Sequence, residues 1–300
     1  MDSDDARTDV ILVAAAALFG GTLRGIVSQL PGYPRQGLAA AILNIAWVVA
    51  VTALVPWLLS RYRGDRAAAF ALDGSRFGRW LGIRAGLVLA VPPVIAMVSL
   101  GMLAGISPQR WIFGRFAAAA NIAAVLVAAG LTVALTAGAT LLVTFLSHRG
   151  SAWGRTVDMR LTQLLRTFGI ASAALAVVTG LVRSIRGPSP LAVIVFAATI
   201  MVLVLTVDRW VPSGVSIPRT AMLAPVIVVG LLHLFATGGL FRGDLITALY
   251  SGSLAVGMTV IVVAATHVTR IRWAVVPLMI AVHWWPSCLS PLALEVARAC

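Results

Sequence analysis

Four histidines occur in the 300-residue chain, and three of them, His233, His267 and His283, fall within residues 220–292. Imidazole titrates near neutral pH and can act as general base, general acid or metal ligand, so it is the first group to weigh in a chain this poor in polar residues. His233 and His283 lie inside apolar runs, TAMLAPVIVVGLLHLFATG and WAVVPLMIAVHWWPSCLSPL, each long enough as a helix to cross a bilayer. An ionisable side chain at that depth must find a partner or face a protein interior, which makes both residues candidates for chemistry. His267 closes the intervening run, LITALYSGSLAVGMTVIVVAATH, beside Arg270 and Arg272, at the level that headgroups and water reach. One complete span separates His233 from His283, so their helices run the same way and can bring the imidazoles to similar depth. Facing one cavity, they would suit water activation, or haem or copper ligation. Bonded to backbone or to Thr and Ser hydroxyls, they would do none of these.

The elements that must position these residues follow from composition. The chain is 60% hydrophobic and 11% charged, with mean hydropathy +0.98, far more apolar surface than a soluble core can bury. Its apolar runs are long and unbroken, where a membrane barrel would show short alternating segments. The expectation is an all-α polytopic transmembrane helix bundle, one integral membrane domain over residues 1–300. Its spans fall at approximately 10–30, 37–59, 85–104, 116–146, 168–182, 190–207, 220–238, 245–266 and 273–292. That is nine, or eight if the short run at 168–182 does not cross.

Within these spans, Arg24 interrupts the far end of the first and is expected to snorkel to the interface, and Pro92-Pro93 must kink the third. The sixth ends at Asp208-Arg209-Trp210, which reads as an ion pair with an aromatic anchor. Small-residue runs such as AAAANIAAVLVAAGLTVALTAGAT and YSGSLAVG suit close helix packing.

All 23 basic residues are arginine, and the net charge is +13. Fifteen arginines fall in the N-terminal tail and in the loops at 60–84, 147–167, 208–219 and 267–272, against seven in the opposite loops and the C-terminal tail. This bias puts the N-terminus in the cytoplasm and, for nine spans, the C-terminus outside. The arginine-only usage, with abundant Ala, Val and Gly, fits a GC-rich bacterial genome and hence an inner (plasma) membrane. The lipid bilayer is then the main partner. The stretch RAAAFALDGSRFGRWLGIR would suit anionic lipid as a surface helix, and no basic-aromatic surface is long enough to bind nucleic acid. The acidic start MDSDDARTD does not resemble a cleavable signal, and Cys288 and Cys300 form neither a disulfide framework nor a zinc motif. Spacing implies no cofactor and leaves any metal undetermined.

The run APVIVVGLLHLFATGG, a glycine-containing span, and then RIRWAVVPLMIAVHWWPS is similar to the C-terminal half of the CPBP family of CAAX-processing and bacteriocin-processing intramembrane proteases. The resemblance covers about a third of the chain. It implies that His233 matches the histidine of an F-x-x-x-H segment, with Val229 at the phenylalanine position. It also implies that His283 matches the histidine of H-x-x-x-N/D, with Ser287 at the last position, so that His233 and His283 would be the catalytic histidines. The family's paired glutamates, which activate the hydrolytic water, have no counterpart: the one glutamate, Glu295, lies past the last span. The resemblance therefore implies a catalytically degenerate relative, a scaffold or the membrane partner of another protein.

Other catalytic signatures are absent, with no H-E-x-x-H, G-x-S-x-G or P-loop, and the serine of YSGSLAVG would need a histidine at matching depth for rhomboid-like chemistry. The alternative is a small-solute or lipid transporter, or a permease-type subunit of a membrane complex. Its pathway would be lined by Arg24, Asn44, Asn121, the Pro92-Pro93 break and the histidines.

Overall fold

The computed structural model describes residues 2–34, 37–65, 79–84, 87–88, 122–153, 158–184, 211–236 and 240–269, with short runs between 198 and 209. The principal helices among them are α1 (Ser3–Val27), α2 (Gly37–Val48), α3 (Val55–Tyr62), α4 (Ile122–Trp153), α5 (Leu161–Leu164), α6 (Ala171–Ser184), α7 (Arg219–Ala236) and α8 (Leu245–Thr269). A π-helical turn, Val49–Leu54, joins α2 to α3. Pro56 follows it, and a proline has no N–H to give the carbonyl four residues back and its ring crowds that carbonyl. A second π turn, Leu165–Ile170, joins α5 to α6.

Among the described residues, five segments are long and apolar enough to cross a membrane: Ser3–Val27, Ile42–Tyr62, Leu161–Val182, Arg219–Arg242 and Leu245–Ala264. Two boundaries differ from the sequence reading. The first helix begins at Ser3, because Asp2, Asp4 and Asp5 sit where a helix N-terminus favours negative charge, and Asp9 is drawn into the bundle. The fifth span is not short, since α5 and its π turn extend it back to Leu161 and give a 22-residue segment. The 32 residues of α4 reach roughly 48 Å at ~1.5 Å per residue, longer than the ~30 Å of a hydrocarbon core.

Close approaches fix the helix directions. Gly20 of α1 meets Val51, and α1 is antiparallel to α2–α3. Gly130 and Gly138 of α4 meet Ile45 and Thr52, so α4 runs parallel to α2–α3. The hydroxyl of Thr220, at the start of α7, donates to Gly150 O near the end of α4 at 2.5 Å. Gly21 of α1 lies against Leu232 of α7, and Gly230 of α7 against Val256 of the returning α8. Gly130 and Gly138 of the first small-residue run, and Gly252 of the second, thus lie at helix contacts. The starts of α1, α5 and α7 and the ends of α3, α4 and α8 share one end of the bundle, here called the N-terminal face.

The core runs through Val13, Ala17, Phe145, Leu146, Leu161, Leu164, Leu165, Met222 and Ile261. Phe19, Ile42, Leu58, Val133, Val178 and Ile227 are exposed, the apolar girdle that a bilayer requires of a helical protein. On the N-terminal face a short ribbon pairs β1 (Asp158–Arg160) with β2 (Ser216–Pro218), antiparallel, with Met159 opposite Ile217. The sequence positions Pro92-Pro93, Asn121, His283, Cys288, Glu295 and Cys300, most of residues 66–78 and 190–207, and the spans at 85–104 and 273–292 lie outside the described residues.

Candidate functional site

His233 stands on the last turn of α7, exposed. Its Nδ1–H donates to Val229 O, one turn back, at 2.9 Å. A carbonyl can only accept, so this bond places the proton on Nδ1 and leaves Nε2 open in the neutral ring. His267, on the last turn of α8, faces a polar cavity at the N-terminal face. With His283 outside the described residues, the structure does not bring the histidine pair into view. Among the described residues no group of three His, Cys, Asp or Glu side chains is placed to hold a metal ion.

Arg24 reaches from α1 across to two neighbouring helices. Its Nη1 donates to Ala236 O at the end of α7 at 3.0 Å, and its Nη2 donates to Asn44 Oδ1 of α2 at 2.8 Å. Local sequence makes this reach possible: Gly25 has no side chain to hold α1 away from Phe235 O and the Phe241 ring, and Gly21 lets Leu232 approach. Around it the Ser28 hydroxyl donates to Gly25 O, and Gln29 Nε2 donates to Ser28 Oγ, both at 2.8 Å. Among the described residues the guanidinium is thus clamped between three helices by neutral acceptors. Two residues of the sequence-derived pathway set, Arg24 and Asn44, are brought together here, three positions from His233 along α7.

Comparison with known proteins adds no identity. No family model, curated protein or solved structure matches the chain. Geometry alone carries the functional reading.

The opposite end of the bundle holds charges that the sequence reading left in a tail and in loops. Arg63 Nη1 meets Asp5 Oδ1 at 2.7 Å, and its Nη2 meets Asp9 Oδ1 at 3.2 Å. Arg149 Nε lies 3.2 Å from Asp9 Oδ2, and Arg149 Nη2 pairs with Asp65 Oδ2. Asp9 and Arg149 have 0% exposure, and the Arg149 guanidinium stands 5.1 Å from the centre of the Phe145 ring. Burial works against the charge of Arg63, but Asp9 and Asp5 outweigh it and raise its pKa above the ordinary arginine value. The chain Asp5–Arg63–Asp9–Arg149–Asp65 ties α1, the end of α3 and α4 together. A signal was present in the sequence: Asp5 and Asp9 are four apart and share a helix face. It is lost once the acidic start is taken as a tail. Asp208 likewise pairs with Arg166, Nε to Oδ2 at 3.0 Å, not with its neighbour Arg209 as sequence adjacency suggested.

Beside this network lies a cavity of about 470 Å³ lined by Thr144, Ser147, Ser151, Ser216, Thr266 and His267 among others. Thr144, Ser151 and Thr266 donate their hydroxyl protons to carbonyls of their own helices, Thr140 O, Ser147 O and Val262 O. Lone pairs are what these three have left to offer a ligand. The arrangement can bind and exclude. Among the described residues no carboxylate bonds to His233, whose hydrogen bond goes to its own helix.

Proposed function

We propose that this chain is a multi-pass protein of a bacterial inner membrane that binds and passes a small solute or a lipid, alone or as the membrane subunit of a complex. The observation that carries the reading is the joint of Arg24, Asn44 and Ala236 O, which puts an arginine and an amide from three helices at one place near the ends of α1 and α7. A cation held at a helix junction near the ends of the spans is a group that a binding or permeation site can use. The proposed topology is nine crossings with the N-terminus in the cytoplasm, which makes the N-terminal face cytoplasmic. In support, α2–α3 and α4 run the same way, so α3 ends at the face opposite the start of α4. The same holds for the end of α6 and the start of α7. Eight crossings then end at α8, and the apolar run 273–292 supplies the ninth.

The test is side-specific labelling of single cysteines after Cys288→Ser and Cys300→Ser. Asn44→Cys should react with a membrane-impermeant maleimide from the outer side, and Ser147→Cys from the cytoplasmic side. Failure of both to react would mean a sealed bundle and would end the permease reading; reaction from the reversed sides would invert the topology.

A second reading, a CPBP-like protein without proteolytic activity that serves as a membrane partner, is favoured by one feature. His233 is exposed with Nε2 open, as a histidine retained from such a site would be. Peptide cleavage that disappears in His233→Ala would instead restore catalysis to it.

A further inference from the structure

Two arginines of this bundle are withdrawn from water in opposite ways. Arg149 meets the carboxylates of Asp9 and Asp65. Arg24 meets an amide oxygen and a backbone carbonyl, and among the described residues no carboxylate pairs with it. A guanidinium has five N–H donors, and the two bonds of Arg24 leave three of them, with a full positive charge, unmatched. Two further groups of α2 add donors. Asn44 spends its oxygen on Arg24, so its Nδ2 remains to donate. Trp47, one turn along α2, carries a buried indole N–H that meets no acceptor among the described residues. Buried polar groups are otherwise nearly always paired, and a surplus of donors around an uncompensated cation calls for an oxyanion.

Position narrows the source. Arg24 lies in the last turn of α1, and its partner Ala236 ends α7, which is headgroup depth for helices that span the bilayer. The side chains beside it are apolar and exposed: Leu23 and Ile26 on α1, and Ile42 and Leu43 on α2. An acyl chain can lie against that surface while a phosphate meets the guanidinium, and planar bidentate recognition of phosphate is what arginine does best.

We infer that Arg24, clamped by Asn44 and Ala236 O between α1, α2 and α7, is the recognition group of a site for a phosphate oxyanion, supplied by the headgroup of an anionic phospholipid. The inference rests on the binding-and-passage reading above and gives it a ligand class. Arg24 binds the phosphate, and Asn44 holds the fork in position.

The full chain, purified in neutral detergent, is titrated separately with phosphatidylglycerol, phosphatidylcholine and inorganic phosphate, reading the thermal midpoint and the lipid retained in native mass spectra. Phosphatidylglycerol should raise the midpoint and stay bound at least tenfold better than phosphatidylcholine. Arg24→Gln should abolish that preference, and Arg24→Lys should keep part of it. If Arg24→Gln does not fold, Asn44→Ala supplies the test, since it keeps the cation but frees it and should weaken retention several-fold. An equal response to phosphate alone would overturn the lipid source and assign the site to a soluble oxyanion. Equal binding of phosphatidylglycerol by wild type and Arg24→Gln would overturn the site itself. Translocation of fluorescent phosphatidylglycerol in proteoliposomes separates the two proposals: Arg24-dependent binding without movement leaves the site and removes the permease, while movement that survives Arg24→Gln does the reverse.

Discussion

The two ends of the bundle solve the same problem, an arginine away from water, with different chemistry. At the N-terminal face, Arg63 and Arg149 are interleaved with Asp5, Asp9 and Asp65, so each cation has carboxylates within ion-pair distance. At the opposite face, Arg24 has two neutral acceptors. A set of charges paired with one another locks helices together. An open one holds its shape while keeping charge in reserve. The first pattern belongs to architecture and the second to binding, and substitutions should separate them.

Arg149→Leu should produce the largest effect. It leaves Asp9 buried with only Arg63 and takes from Asp65 its partner in α4, and breaking one side of a buried pair costs about 3–5 kcal/mol. Arg149→Lys should recover a minority of this, because an ammonium cannot span two carboxylates as a planar fork does. Unfolding in mixed detergent micelles measures both, and an Arg149→Leu cost near zero would mean that the network does not hold α1, α3 and α4 together. The cost should also resist added salt, since buried pairs are screened far less than exposed ones.

The middle effects come from a pair of glycines, one at each end. A Cβ at Gly150 would stand 2.5 Å from Thr220 O and 3.0 Å from Ala221 Cα, backbone atoms of the first turns of α7 next to the ionic network. A Cβ at Gly25 would press on Phe235 O and on the ring of Phe241, near the end of α7. Overpacking of this kind costs about 1–3 kcal/mol. The two costs should be similar, because each added methyl meets a backbone oxygen of α7 at comparable range. Gly25→Ala should in addition reduce anionic-lipid retention, by lifting Ala236 O away from Arg24; Gly150→Ala should not.

How much of this was legible in the residues divides along the same line. Hydropathy is a local property, so the helical class and the five membrane-length segments among the described residues follow from runs such as APVIVVGLLHLF and TVIVVAAT. Long-range pairing is not local. Asp9 and Arg149 stand 140 positions apart, and nothing near Asp9 announces that it will be fully buried. Arg166 and Asp208 show the same limit in reverse, since adjacency offered Arg209 as the partner and the folded chain supplies Arg166 from 42 positions away. Arg24 and Asn44 were visible as polar interruptions of apolar runs. Their contact depends on Gly25 and Gly21 admitting α7, which no periodicity reveals.

The smallest effect on stability should come from Arg24→Gln, and its smallness is what gives it value. In neutral detergent the substitution removes two hydrogen bonds from a charged donor, each worth about 1.5–3 kcal/mol. It also relieves the cost of holding a partly buried cation without a counter-charge, a term of opposite sign and similar size. Glutamine keeps an amide N–H that can still reach Asn44 Oδ1 or Ala236 O. The net change should lie within about 1 kcal/mol of zero. Repeated in micelles doped with phosphatidylglycerol, the same comparison should show wild type gaining stability that the variant does not, because a ligand that binds only the folded chain stabilises it by mass action. Arg149→Leu should cost the same with and without anionic lipid. If Arg24→Gln proves as damaging as Arg149→Leu in neutral detergent, then Arg24 is a structural bolt like its counterpart, and the contrast between the two ends disappears.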